Sequence, residues 1–299
     1  MSYDDEFTRY RLKNNYSEKT IKAQNHHVKM FLNWCIRQAI TPENITYREA
    51  LQFIDQERGR NISHASIAGT INSIKIYFDY LIENKTIKHN QIRQIKLRNP
   101  GKKALPELLT TGQLETIYKN FSNVPHWRHK TDREKLLHQR NTILLGLLVY
   151  QGLDSGEIAK LEPIHVSLNQ GNIYIPSGRN SNARTLKLQA DQILPFKTYM
   201  EETRPKLIQK RNQQTPYLFP SKKYSDMICK IVTQARKTSP GLIDIRQIRA
   251  SVIMNWLKTN NIRQVQYMAG HKSIKSTESY RNQDLTDLTR QLELFHPLK

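Results

Sequence analysis

The 299-residue chain contains only two cysteines, Cys35 and Cys229, and neither belongs to a cluster with metal-ligand spacing. A disulfide framework is excluded, and the redox setting reads as cytosolic. Long apolar runs are also missing. The longest, Ile143 to Tyr150, is far too short to span a bilayer. The first residues, Met1 to Phe7, are acidic and lack the apolar centre of a secretory signal. A soluble protein of the cytoplasm, associated with the nucleoid, is the expectation. Internal repeats and low-complexity tracts are absent. Negative charge is scarce as well: 26 Asp and Glu face 47 Lys and Arg, leaving a net charge of +21.

So much like charge repels itself unless a polyanion normally neutralises it. Nucleic acid is the commonest polyanion, because Lys and Arg on phosphates release condensed counterions. An anionic membrane surface is the competing partner, but the basic residues are spread along the chain rather than gathered in one amphipathic stripe. A basic globular protein with no such partner is the plainest alternative. Through Pro100 the chain holds 16 basic and 10 acidic residues, and after it 31 and 16. Both parts are positive, as two parts touching the same DNA would be.

The first part reads as helices. Ser17 is placed to cap one, in which Ile21, Val28, Phe31, Leu32, Cys35 and Ile36 form an apolar face. Thr41-Pro42 interrupts the pattern, Tyr47 to Glu57 gives a shorter helix, and Ser63 caps a third that carries Ile67, Ile71, Ile74, Phe78, Leu81 and Ile82. The stretch 96–106, with Asn99-Pro100-Gly101 and Pro106, reads as a linker. The domains expected are thus 1–98, a linker 99–106, and 107–299. The second part is mixed. Arg140 to Gln151 is strongly apolar. Ile173 to Pro176 and Thr185 to Leu188 flank a turn, Ser177 to Asn182, and predict a hairpin. Helices are expected over 194–204, 226–236, 244–258 and 262–268. A tail helix from Asp284 to Phe295 would carry Leu285, Leu288, Leu292 and Phe295 on one face.

Several segments resemble one family. Met268-Ala269-Gly270-His271-Lys272-Ser273-Ile274, followed by Thr277 and Tyr280, resembles the final motif of tyrosine recombinases, the phage integrase-like (Xer-like) enzymes. In that motif a histidine precedes the nucleophilic tyrosine by nine positions, as His271 precedes Tyr280. Arg246-Gln247-Ile248-Arg249 stands in the place of the family's His-x-x-Arg. Tyr16 to Ile21 resembles the opening of its helical core-binding domain, Leu105-Pro106 with Leu109-Thr110 the start of its catalytic domain, and Leu218-Phe219-Pro220 a segment ahead of the motif. The resemblance covers nearly the whole chain; each motif alone is weak, and their order makes the signal. It implies a mainly α fold: a helical SAM-like core-binding domain, then an α+β catalytic domain with a small sheet, together forming a clamp around duplex DNA.

The same resemblance implies the chemistry. Attack of a tyrosine hydroxyl on a phosphodiester gives a 3′-phosphotyrosine link and a free 5′-hydroxyl, with no metal or nucleotide cofactor. A phenol of pKa about 10 must lose its proton, and the crowded phosphorane needs positive donors around its oxygens. Guanidinium is suited to that work, being planar, bidentate and always charged. Tyr280 is then the nucleophile, Arg249 a phosphate clamp, His271 a phosphate donor or proton shuttle, and Arg246 a donor in place of the family's histidine. Arg179, Arg184 and Lys272 are expected on DNA. Taken singly, each has a bland reading: Tyr280 a packing residue, His271 a turn residue after Gly270, Arg249 a solvated helix charge, the hairpin arginines nonspecific phosphate contacts. Their joint placement favours a site.

The pattern is not kept everywhere. The family's first arginine lies in a Gly-Leu-Arg-x-x-Glu segment, where Gly152-Leu153-Asp154-Ser155-Gly156-Glu157 puts Asp154. Its hairpin lysine falls opposite Asn182. Losing one preorganised donor typically costs roughly 10² to 10³ in rate, and a carboxylate about 4 Å from a phosphate adds repulsion on the order of 4 kcal/mol at an effective dielectric near 20. Either Asp154 points away and Arg246, Arg179 or Arg184 supplies the missing cation, or the site is crippled. Two functions follow: a site-specific DNA strand-exchange enzyme such as a mobile-element integrase, or a recombinase-derived DNA-binding protein that no longer cleaves. A metal-dependent nuclease is disfavoured, because no carboxylate cluster or histidine-rich ligand set lies near the basic motifs. The tail helix is expected to dock on a neighbouring protomer and hold a homo-oligomer, a tetramer, on DNA.

Overall fold

The computed structural model describes residues 3–97, 107–123, 131–211, 214–221 and 223–281. The chain separates into two compact units, Met1–Lys103 and Ala104–Lys299. Most of the expected linker and the whole tail segment from Asp284 lie outside the described residues.

The first unit is helical: α1 (Tyr3–Lys13), α2 (Glu18–Arg37), α3 (Tyr47–Gly59) and α4 (His64–Glu83). The caps expected at Ser17 and Ser63 are present, and a third is found at Thr46. Ser17 accepts from the Thr20 amide and Ser63 from the Ser66 amide, and Thr46 and Glu49 form a reciprocal capping box on α3. Pro42 starts a single 3-10 turn, since it has no amide to give. All three other helices pack on α4, over a core rich in aromatics, with Phe31 edge-on to Phe53 and Phe78. The first helix was not expected from the acidic start. It is held through Phe7, which packs against Tyr77 and Tyr80 of α4.

The second unit is built on α6 (Asp132–Val149), which packs against α5 (Thr111–Ser122), α8 (Ala190–Thr198), α10 (Tyr224–Arg236) and α11 (Ile245–Thr259). Every residue from Thr142 to Val149 is buried, which accounts for an apolar run with no single face. The helix begins eight residues earlier than Arg140, capped by Thr131. After α8 the chain passes through one π turn, Tyr199–Thr203, into α9 (Arg204–Arg211).

A short helix α7 (Ser155–Ile158) leads into a three-stranded antiparallel sheet, β1 (Val166–Ser167), β2 (Asn172–Ile175) and β3 (Arg184–Lys187), in the order β1-β2-β3. The hairpin expected from the sequence is β2–β3, with Ile173 opposite Leu186 and Ile175 opposite Arg184. Strand alternation buries Ile173, Ile175, Arg184 and Leu186 and leaves Tyr174, Thr185 and Lys187 outside. Arg184 therefore occupies an inward, core-facing position. The fold is mainly helical with one small sheet, in keeping with the expected class.

Candidate active site

Five chain segments, among them β3 and α11, converge around one carboxylate. The first follows α6, where Gly152 takes a left-handed conformation (φ +58°) and turns the chain into α7. Asp154 caps α7: its Oδ1 accepts from the Gly156 and Glu157 amides at 2.7 and 2.8 Å. Glu157 answers by accepting the Asp154 amide, completing a capping box. The carboxylate that looked hostile to a phosphate is thus engaged by the amides at the start of a helix. Glu157, only 3% exposed in its side chain, is the hub.

Two guanidinium groups meet on that hub. Arg184, from β3, donates from Nη1 to Glu157 Oε1 at 2.6 Å and from Nε to the Met268 carbonyl at 2.7 Å. Arg249, from α11, donates from Nη1 to Glu157 Oε2 at 3.1 Å and to the Gly152 carbonyl at 2.5 Å, and from Nη2 to the Ala269 carbonyl at 2.9 Å. Burial alone would push the Glu157 carboxyl up. The Arg184 hydrogen bond and the charges of both arginines outweigh it and hold the group below the ordinary carboxylate range. Arg184 is fully buried while Arg249 keeps 17% of its side chain exposed.

The fourth segment is the end of α12 (Ile262–Ala269), closed by Gly270 in the left-handed region at φ +69°. A Cβ at this position would collide with Nη1 of Arg184 and lie 2.8 Å from its Cζ, so glycine is required both by the backbone and by the arginine behind it. The hairpin turn is stitched to this loop, with the Asn182 amide donating to the Gly270 carbonyl at 2.9 Å and Ser181 bridging His271. His271 shares a 2.8 Å hydrogen bond through Nδ1 with the hydroxyl of buried Thr277. Burial, then the charges of Arg249 and Arg184, lower its pKa to about 4, so it is neutral at physiological pH.

The fifth segment is the helical stretch 274–281. Its Tyr280 lies with its ring parallel to that of His271, 6.0 Å between centroids and 3° between planes. The tyrosine is half-buried against Ile253, Val265 and Ala269. Tyr280 and His271, inferred from one motif, and Arg249, inferred from another, therefore gather in one place.

The remaining expected residues are placed differently. Arg246, at the start of α11, is 89% exposed in its side chain and paired with Asp244 at 2.9 Å. Arg179 and Lys272 are exposed. Arg184, expected as a surface DNA contact, is turned inward because it shares the strand face of Leu186. Glu157 was not singled out from the sequence, although it stands at the glutamate of the Gly-Leu-Arg-x-x-Glu segment, which was the available signal. Among the described residues no group of three or more His, Cys, Asp or Glu could hold a metal ion, and no helix is long and apolar enough to cross a membrane.

Residues 107–286 match the phage integrase family, and residues 5–88 match the phage integrase N-terminal SAM-like domain. The chain is 21% identical over 297 residues to the tyrosine recombinase XerC of Bacillus pumilus (strain SAFR-032), covering 96% of this chain and 93% of that protein. It is 23% identical over 300 residues to the TnP I resolvase of Bacillus thuringiensis, covering 98% and 100%. Among solved structures, XerH site-specific recombinase bound to its difH substrate has a TM-score of 0.69 at 19% identity, over 94% of this chain and 82% of that one. The Tn1549 transposon integrase in complex with circular intermediate DNA has a TM-score of 0.64 at 14% identity, over 97% and 100%. Those two likenesses speak for the fold; the two domain matches, which take in most of the chain in the order its motifs run, make this protein a member of the phage integrase family of tyrosine recombinases.

Proposed function

We propose that this chain is a site-specific DNA recombinase that cuts and rejoins duplex DNA through a 3′-phosphotyrosine link at Tyr280. The observation that carries the reading is the parallel stacking of Tyr280 on His271, beside a carboxylate that holds two guanidinium groups. The Tyr280 hydroxyl gives up its proton and its oxygen attacks the phosphorus. The P–O5′ bond breaks, and the 5′ oxygen leaves and takes up a proton. A 5′-hydroxyl from another strand reverses these steps and restores the phosphodiester, so no external energy source is needed. Arg249 clamps the phosphate with a planar, bidentate guanidinium. His271, neutral near pH 7, is able to accept a proton or to donate a ring N–H to a phosphate oxygen. Arg246, at the N-terminal turn of α11, adds a further donor when it exchanges Asp244 for phosphate.

Double-stranded DNA as the partner is supported by the excess of 47 basic over 26 acidic residues and by the DNA bound to the XerH and Tn1549 proteins. Residues 1–98 serve as the core-binding domain and residues 107–299 as the catalytic domain, with Arg179 and Lys272 on backbone phosphates. The tail beyond Asp284 links protomers into a tetramer on DNA. The cleavage-deficient alternative rested on Asp154 and Asn182; Asp154 Oδ1 is committed to the cap of α7, while Asn182 still stands opposite the family's hairpin lysine, its amide on the Gly270 carbonyl.

The test is a nicked suicide duplex carrying the target site, from which the cleaved strand cannot be religated. The purified protein is expected to form a covalent adduct without metal, and Tyr280→Phe to form none while binding the same DNA. Equal adduct from both proteins removes Tyr280 from the mechanism. Loss of assembly on DNA when residues beyond Asp284 are deleted supports the tail as the link between protomers; unchanged assembly rejects it.

A further inference from the structure

We infer that Arg184 is a positioning residue of the phosphate pocket, whose buried charge offsets Glu157 so that Arg249 meets the DNA phosphate as an uncancelled cation. The inference rests on the reading of Tyr280 and Arg249 given above. Charge arithmetic motivates it. Glu157 and Arg249 alone form a neutral pair, and a phosphate approaching that pair would gain little. Arg184 on the other carboxylate oxygen leaves the three groups with one net positive charge. Asp154 contributes no cation, so this charge has to come from elsewhere in the fold.

The exposures divide the work. Arg249 is 17% exposed and able to reach a ligand, whereas Arg184 is sealed at 0% and acts through its neighbours. Hydrogen bonding alone does not account for a guanidinium at this place. Its Nη2 has no hydrogen-bond partner among the described residues, and burying a charge with a donor unsatisfied is costly. A neutral side chain could bond the Met268 carbonyl without that cost. What only a cation supplies here is field, and a field in a poorly hydrated interior is weakly screened. The fold also makes room for it: Gly270, just ahead of His271, is the position where any side chain would strike this guanidinium. The competing account is a cross-link, with Arg184 merely tying β3 to the end of α12.

Single-turnover adduct formation on the suicide duplex, at saturating DNA, separates the two accounts. Arg184→Gln is expected to slow cleavage by roughly 10²-fold with DNA affinity unchanged, and Arg184→Lys to retain most of the rate. The decisive protein is the double variant Glu157→Gln/Arg184→Gln, which restores one net positive charge while removing the ion pair. Faster cleavage by the double variant than by Arg184→Gln supports the inference; a cross-link would leave the double variant no better than the single. Arg184→Gln cleaving at the wild-type rate also overturns it. Should Arg184→Gln fail to fold, the folded double variant decides alone: cleavage supports the inference, and a protein that binds DNA without cleaving overturns it. If the unaltered protein forms no Tyr280-dependent adduct, the reading of Tyr280 falls and this inference with it. An intact wild-type adduct with the wrong pattern among the variants removes only the role of Arg184.

Discussion

Glu157 is where one side chain decides most. It is the shared anion of two arginines from different elements, and it also closes the cap of α7. Its removal leaves one fully and one largely buried guanidinium without a counter-charge, which typically costs about 3–5 kcal/mol. Glu157→Ala is therefore expected to lower unfolding free energy by about that much in urea titrations, well beyond the loss from any exposed ion pair such as Arg58–Asp55. Gly270→Ala tests the same spot from the backbone side. A left-handed alanine costs about 1 kcal/mol, and the collision with Arg184 adds to it, so a drop of about 2 kcal/mol or more is expected. His271 gives a pH signature. Its folded pKa, about 4, lies below the ordinary histidine value, so between pH 4 and 6.5 the unfolded chain binds more protons than the folded one. Stability rises with pH through that window and is flat above it. The groups facing this ring are Arg249, Arg184, Glu157, Thr277 and Tyr280. Glu157, whose pKa is depressed, loses its own contribution only at the acid end. The difference in melting temperature between wild type and His271→Asn, followed from pH 4 to 8, should therefore change through the window and level off near neutrality.

At the scale of elements, caps were readable at Ser17 and Ser63, because capping is decided within four residues, whereas α5 behind Thr110 and the start of α6 behind Thr131 were not read. Arg249, His271 and Tyr280 were readable as a set only through the order of their motifs. Arg184 was expected on DNA, and Asp154 was left open between pointing away and crippling the site; their position on an element decides both. Arg184 alternates with Leu186 on β3, which already placed it inside, and Asp154 stands at the cap of α7 with Glu157 three residues on, the spacing of a capping box. That gives a prediction proper to the element. Asp154→Asn keeps an acceptor for the cap and should leave stability nearly unchanged, whereas Asp154→Ala should cost about 1 kcal/mol in urea unfolding. Equal losses from both would mean that the charge and not the cap matters. The first unit offers a second case. Each of its four helices ends two residues before a left-handed, non-glycine residue: Asn15, Ala39, Asn61 and Lys85. Alanine has no polar side chain to compensate there. Ala39→Gly is thus expected to raise stability by about 0.5–1 kcal/mol.

For the molecule as a whole, charge is the property that local structure does not use. Its 47 basic residues outnumber the 26 acidic ones, and the surplus is spread over both sequence halves, 16 basic against 10 acidic and 31 against 16. Duplex DNA is a polyanion able to engage both, and such binding releases counterions in proportion to the phosphates contacted. With about six to ten contacts, affinity should fall by roughly 10³ to 10⁵ between 50 and 200 mM salt. The slope also sorts the arginines and lysines by task. Arg179→Ala and Lys272→Ala, altering exposed side chains, should each reduce the salt slope by about one while leaving cleavage at saturating DNA intact. Arg184→Gln should do the reverse, slowing cleavage with the slope unchanged, because a sealed guanidinium displaces no counterion from DNA. A slope that falls with Arg184→Gln as it does with Lys272→Ala would mean that β3 opens on binding and delivers this side chain to the backbone directly.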